Sequence, residues 1–330
     1  MNDNMNVLWF TPDKPENISV GRDRIADHLK DSGFDVTVRG TTLQTVLRSV
    51  REHGAYDVII GTTRAGAFAG MVLKLLHRRP LVVDHIDPIR QFEETHQRGL
   101  AALVRILENI SFVFADQVLF VYEEEHERIV RYTDSVCKTD LGVEADRFRE
   151  PDSEITSAVR DQFEEWGLEE NVAVYVGGLE PVYHIDELLV AMTHLPSWSL
   201  LVIGDGSLQR TVTNAAAQQE NVHYAGTVPH DRVPGYLHAA DIGISLVDDP
   251  HTLKVLEYGI SGLAVVQLAG RAESRFGDLV EYTDLDPTHI AETIRSAGER
   301  ELDDSLRSFS SAYDWSDIAD NYAEAITSVM

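Results

Sequence analysis

Short apolar runs of strand length recur down this chain, with helix-length segments between them. VLWF (7–10), DVTV (35–38), DVIIG (57–61), LVVDH (81–85) and QVLFVY (117–122) form a first series. VAVYVGG (172–178), SLLVIGDG (199–206), NVHYAG (221–226), DIGISLV (241–247) and LAVVQL (263–268) form a second. Runs that are apolar throughout, rather than alternating, belong to strands covered on both faces, and strands separated by helices pair in parallel. The rhythm therefore predicts an α/β protein of two doubly wound, Rossmann-like domains. The polar segment DRFREPDSEITSAVR (146–160), which contains Pro151, reads as the linker, dividing the chain into 1–148 and 149–314. Two such domains are expected to face a central cleft, with ligands at the carboxyl ends of their strands.

Size and charge narrow the function. At 330 residues the chain exceeds one ordinary core, and a hydrophobic fraction of 43% suffices for two. A formal net charge of -27 repels phosphate backbones and anionic membrane surfaces, which argues against a nucleic-acid binder or a polybasic anchor. Any phosphate site must be local. Lysine occurs only at 14, 30, 74, 138 and 254, and the dense carboxylate surface resembles that of a salt-adapted, halophilic cytoplasmic protein. Cys137 is the single cysteine, so no internal disulfide or cysteine-based metal site forms. The start MNDNMNVLWF carries no secretory pattern, and Leu100 to Tyr122 is too interrupted by Arg105, Glu108, Asn109 and Asp116 to span a bilayer. No G-x-G-x-x-G follows the first strand, and Gly61, Gly66 and Gly70 are too loosely spaced to replace it, which disfavours a dinucleotide oxidoreductase.

Within the second series, DIGISLVDDPHTLKVLEYGISGLAVV (241–266) reads as strand, acidic turn, short helix, strand. A helix start offers free N–H groups and positive dipole to an anion, Lys254 adds a charge, and Glu257 lies three residues on, nearly on the same face. That combination suits a nucleoside diphosphate, phosphates on the cationic end and ribose hydroxyls on the carboxylate. The same residues also read as a solvated i,i+3 pair, with Asp249 capping a helix that has Pro250 at its first position.

Four segments together resemble the donor domain of GT-B glycosyltransferases, most closely the family 4 type (glycosyl transferases group 1). They are VAVYVGGLEPVYHIDELLVAM (172–192), SLLVIGDGSL (199–208), NVHYAGTVPHDRVPGYLHAADIGISL (221–246) and KVLEYGISGLAVV (254–266), in the family's order. In the first half, LVVDHID (81–87) is similar to the family's histidine-bearing strand end, and FADQVLFVYEEEHERIV (114–130) to its late-domain helix. YDWSDIADNYAEAI (313–326) resembles the closing helix, which implies that 315–330 completes the first, acceptor-side domain.

The resemblance implies site residues. Asp249 and Glu257, eight positions apart, fall on the family's acidic pair, the first at the sugar hydroxyls and the second on the ribose. Asp249 is shorter than the usual glutamate, and its reading as a cap stays open. His251, Thr252 and Leu253 are expected to bring N–H groups to the diphosphate, with Lys254 beside them. Gly177, Gly178 and Gly204 fall on the glycine-bearing strand ends. Val228 falls at the nucleobase, or is plain packing. Gly21 with Arg22 is a loop glycine near the donor or a surface pair, and His85 is a contact to the reaction centre or a structural histidine. His77, Arg78 and Arg79 read as a solvated helix end rather than a lipid-phosphate site. One departure stands out: where the family carries an arginine and, five residues on, a lysine for the diphosphate, this chain has Gly178 and Tyr183. Lys254, Arg210, Arg232, Arg271 and Arg275 are the candidates to compensate, with His184 a further polar group.

The resemblance implies hexosyl transfer from a UDP- or GDP-linked sugar to a glycan or lipid-linked hydroxyl. Anomeric configuration is retained by front-face attack, and neither metal nor other cofactor is needed. The loss of two cations keeps a second reading open, a weak or inactive GT-B scaffold subunit, and a GT-B nucleotide-sugar epimerase is a third. The enzyme is expected in the cytoplasm, with peripheral contact at the inner membrane face allowed.

Overall fold

The computed structural model describes residues 5–12, 19–168, 170–301 and 303–330, without the side chains of 19 and 20. The chain divides into two compact units, residues 1–142 with 315–330, and residues 143–314.

The first unit runs β1 (Met5–Thr11), α1 (Ser19–Asp31), β2 (Phe34–Gly40), α2 (Leu43–Arg51), β3 (Val58–Thr62), α3 (Thr63–His77), β4 (Leu81–His85), α4 (Ile89–Thr95), α5 (Arg98–Phe114), β5 (Gln117–Phe120), α6 (Glu123–Ile129) and β6 (Val136–Lys138). Its six strands pair in parallel in the order β2-β1-β3-β4-β5-β6. The apolar runs of β1, β3 and β4 are buried from end to end or nearly so, as their composition requires. DVTV differs. β2 is an edge strand in which Val36 alone is buried, so alternation, not continuous burial, describes it.

The second unit runs α7 (Ala145–Arg149), α8 (Ser153–Trp166), β7 (Asn171–Val176), α9 (Ile185–Ala191), β8 (Trp198–Ile203), α10 (Gln209–Gln218), β9 (Val222–Gly226), α11 (Val233–Leu237), β10 (Ile242–Ser245), α12 (Leu253–Ser261), β11 (Ala264–Leu268), α13 (Glu273–Phe276), β12 (Glu281–Thr283), α14 (Pro287–Glu299) and α15 (Ser305–Ser311). Its order, β12-β11-β10-β7-β8-β9, puts the topological switch between β7 and β10. α16 (Trp315–Ser328) packs on the first unit, with Trp315, Ile318, Tyr322 and Ile326 in the core that holds Val7, Trp9 and Ile25. Gly21 lies in α1, where a Cβ would stand 2.5 Å from the Trp315 ring.

The segment 146–160 is not a linker. Pro151 separates two helices, Asp152 Oδ1 accepts from Glu154 N to cap α8, and Phe148, Val159 and Phe163 are buried in the second core. The boundary falls at 142/143 because Val143 N bonds Tyr313 O and Ala145 N bonds the Asp314 carboxylate, tying 143–148 to the second unit. Polarity alone hid this: an amphipathic helix with a narrow apolar stripe looks like linker by composition.

Two strands, β6 and β12, escape the sequence reading. Each has three residues, too few for a period to show.

Candidate nucleotide site in the second unit

The β7–β10 ladder is short. Ile242 pairs with Ala173 and Gly243 with Val174, after which the strand ends part. Tyr258, from α12, fills the gap, its hydroxyl accepting from Val176 N at 3.0 Å and donating to Ile244 O at 3.4 Å. The absent side chain of Gly243 leaves room for that ring. In doubly wound sheets such a switch is where ligands bind, outside the carboxyl ends of the two strands.

The loops after β7 and β8 meet backbone to backbone. Gly177 N donates to Ile203 O at 3.0 Å and Leu179 N to Asp205 O at 2.8 Å. Gly204, at φ 140°, lies so close to Gly177 O that no Cβ fits, so both glycines serve this seam. Tyr175 OH donates to Gly178 O at 2.6 Å.

Lys254, at the start of α12, crosses this seam. A Cβ on Gly177 would lie 2.6 Å from Lys254 Cε, and the ammonium stands 3.8 Å from the Tyr183 ring centroid and 4.9 Å from that of Tyr175. Gly178 touches the same tyrosine, its Cβ position being 3.3 Å from Tyr183 Cε2. The cation thus reaches, from a different helix, one of the two positions where the family pattern places its missing charges, Tyr183, and stands against Gly177, the chain neighbour of the other. Burial lowers its pKa to about 8, against the pull of Glu257 and Asp249.

Glu257, one turn on, is half-buried, and among the described residues its carboxylate makes no hydrogen bond or ion pair. Burial pushes its pKa up to about 7, opposed by His230 and Lys254. His230, whose Nε2 lies 3.6 Å from Glu144 Oε2, is itself raised by Glu144 and, after the opposing effect of burial, by Glu257. His230 and Glu144 were missed in the sequence. Only their position beside Glu257 marks them, and the single clue was that PHDR lies inside a matched segment.

Asp249 does not cap α12. The N-cap is Thr252, which makes no side-chain cap bond, while Asp249 Oδ1 accepts from His251 N at 2.9 Å and its carbonyl from Thr252 N at 3.4 Å. The N–H groups expected from His251 and Thr252 are therefore engaged by Asp249, which leaves those of the first turn from Leu253 onward as the unpaired backbone donors at the start of α12. Asp249 still belongs to the cluster, since its charge acts on both Lys254 and Tyr183. Val228 packs against the second core beside the end of β9.

Of the other candidate cations, Arg271 and Arg275 hold the loop that leads into α12. Arg271 pairs with Asp248 at 3.1 Å, and Arg275 bonds His251 and lies over Tyr313. Arg210 is exposed on α10 and Arg232 precedes α11. His184, in the left-handed region, lies 3.5 Å from Glu187.

His85, Gly21 and Arg22 lie in the first unit. His85 is buried at the end of β4, Nε2 donating to Glu125 Oε2 at 2.9 Å. Burial would raise the Glu125 carboxyl, but His85 and Arg128 hold it down at about 2. Arg22 is no loop residue. From α1 it pairs with Asp84 at 3.1 Å, both nearly solvent-free, and Tyr322 and Thr62 donate to the same carboxylate. His77 is likewise buried, between Tyr56 OH and Val50 O, leaving Arg78 exposed as the left-handed cap of α3.

Residues 170–298 match the family described as glycosyl transferases group 1. No curated protein matches the chain. Among solved structures, the chain is similar to Anabaena HepE in complex with UDP and glucose, with a TM-score of 0.77 at 18% identity, covering 98% of this chain and 100% of that one. It is also similar to sucrose-phosphate synthase from Thermosynechococcus elongatus, TM-score 0.77 at 13% identity over 98% and 99% of the two chains. A UDP-forming trehalose-phosphate synthase from Burkholderia xenovorans gives 0.72 at 12% identity over 98% and 100%. At these identities the likeness establishes the fold. The match lies within the second unit, where the chain resembles the glycosyl transferases group 1, and the architecture of the chain is the GT-B fold.

Proposed function

We propose that the second unit binds a UDP- or GDP-linked sugar and that the protein transfers its hexosyl group, with retention, to a hydroxyl of a glycan or lipid-linked acceptor. The observation that carries this reading is Glu257, a half-buried carboxylate without a hydrogen-bond donor among the described residues, one helical turn from an ammonium at the sheet's switch point. A buried carboxylate costs free energy unless donors reach it, and a ribose supplies two hydroxyls. The diphosphate takes the first turn of α12 and Lys254, and Asp249 faces the sugar. Val228 and the end of β9 border the base. Retention by front-face attack lets the departing phosphate accept the acceptor's proton, so the protein's contribution is alignment and charge stabilisation of the leaving group. His85 keeps the role at the reaction centre that the resemblance gives it. Its Nε2 is engaged by Glu125, so Nδ1 is the atom it offers.

The neighbouring HepE structure holds UDP and glucose, which supports a nucleotide sugar as the ligand class. The absent basic pair favours a second reading, a nucleotide-binding subunit without turnover, to the extent that Lys254 alone replaces two charges. Titration with UDP- and GDP-sugars, followed by donor hydrolysis and transfer assays, separates the two. Binding with turnover supports the transferase, binding without turnover the scaffold, and absence of binding to either nucleotide, with Glu257→Ala indistinguishable from wild type, rejects both.

A further inference from the structure

α5 is turned apolar side out. Glu108 and Ser111 face inward, whereas Leu103, Ile106, Leu107, Ile110 and Val113 are exposed, Ile106 and Val113 by more than half. α3 continues the surface with Val72, Leu75 and Leu76 at helical spacing, and α2 adds Leu43 and Leu47. The three helices cover one face of the first sheet, their inner sides sharing the core of Leu8, Phe10, Leu73 and Phe112. Their outer sides therefore form one apolar surface. Single exposed leucines are ordinary; three adjacent helices exposing them together are not.

The charge of this surface is opposite to that of the protein. The chain carries 55 acidic against 28 basic residues, yet the only carboxylate in α2, α3 and α5 is Glu108, buried and paired with Arg64 and Arg128. The exposed charges of these helices and their ends, Arg51, Arg78 and Arg98 among them, are cationic. A second copy docking by two-fold symmetry would bring these arginines against each other. An anionic surface meets both features. Glu52, Asp116 and Glu93 pair with Arg48, Lys74 and Arg105 at the margins of the face, whereas Arg51, Arg78 and Arg98 carry no ion pair among the described residues and are the charges left to meet an anionic partner.

We propose that the α2/α3/α5 face rests on an anionic lipid bilayer, the leucine and isoleucine side chains entering the acyl boundary and the arginines meeting lipid phosphates. No described helix is long and apolar enough to cross a membrane, and α5, 17 residues with one apolar face, suits the interfacial plane. This docking does not depend on the nucleotide reading.

The experiment is co-sedimentation of the full chain with vesicles of phosphatidylcholine containing 30% phosphatidylglycerol, as a working fraction, or none. The wild type is expected to bind the anionic vesicles, less with rising salt, and weakly or not at all the neutral ones. Ile106→Glu with Leu75→Glu should lower binding by at least tenfold, and Arg78→Glu by about fivefold or more, while melting temperatures stay at the wild-type value. Ile106→Trp, which keeps the apolar surface, should bind and show blue-shifted emission with vesicles. The proposal is overturned if the wild type ignores anionic vesicles, if the glutamate variant binds as well as wild type, or if the protein is a dimer that Ile106→Glu dissociates.

Discussion

The carboxyl ends of the two sheets both hold clusters of buried charge, and the clusters differ in who satisfies them. In the first unit, Asp84 takes Arg22, Tyr322 and Thr62, and the Thr62 hydroxyl accepts in turn from Trp9 Nε1 at 2.7 Å. His85, Glu125, Arg128, Glu108 and Arg64 form a second closed chain. Each charge there is neutralised by protein. In the second unit, Glu257 has charges nearby but no donor among the described residues, and Lys254 rests on aromatic faces rather than on a carboxylate. A closed network spends its polar groups on stability; an open one holds them at a cost that a ligand can remove.

The largest test of that contrast is Asp84→Ala. Leaving Arg22 charged and buried should cost about 3–5 kcal/mol. Denaturant unfolding measures it, and a loss under 1 kcal/mol would mean water already reaches the pair. Glu257→Ala is expected to do the reverse, keeping or raising stability while weakening UDP-sugar binding by about 1.5–3 kcal/mol, the worth of hydrogen bonds to a charged group. Calorimetric titration with a parallel melt checks both halves; a destabilised variant with unchanged affinity would place Glu257 among the structural charges.

Gly177→Ala comes next. The position has φ 147°, and the new methyl displaces Lys254 from the seam, so nucleotide affinity should fall about tenfold for about 1–3 kcal/mol of strain and displacement. Affinity unchanged by this substitution would separate Lys254 from the diphosphate.

The smallest effect is in pH. Glu257, raised to about 7, accepts ribose hydroxyls best when ionised, and Lys254, lowered to about 8, attracts diphosphate only when protonated. Affinity should therefore be bell-shaped, greatest between about 7 and 8 and falling by a few-fold on either side. Stability follows the same groups. Between about 4.5 and 7 the folded state holds the Glu257 proton that the unfolded chain has lost, so ligand-free stability declines as pH rises through that window. Glu257→Gln removes both the acid limb of binding and that slope. An acid limb that survives in this variant would belong to another group, with His230 the first to test.

β7, β8, β10 and β11 of the second unit were legible because each is a continuous, mostly apolar run, and a doubly buried strand has no other way to be written. α8 was not legible, since one buried stripe among charged residues resembles a linker until Phe163 and Val159 find their core. Within the site, Lys254 and Glu257 showed in the sequence through local helical spacing. The place of Tyr258 between the parting strands did not, nor did His230 and Glu144, which packing brings to Glu257 from two other segments.

By itself the sequence determined what is local: apolar runs that must be strands, a helix whose first turns carry Lys254 and Glu257, and a family pattern short of two cations. Tertiary structure decided what depends on encounter. It put Lys254 over Tyr183, against Gly177, and it gave Arg22 a carboxylate but left Glu257 without a donor among the described residues. The reason is physical. Which residues share a helix face follows from a fixed periodicity, but whether a buried charge is satisfied depends on every segment that folds against it.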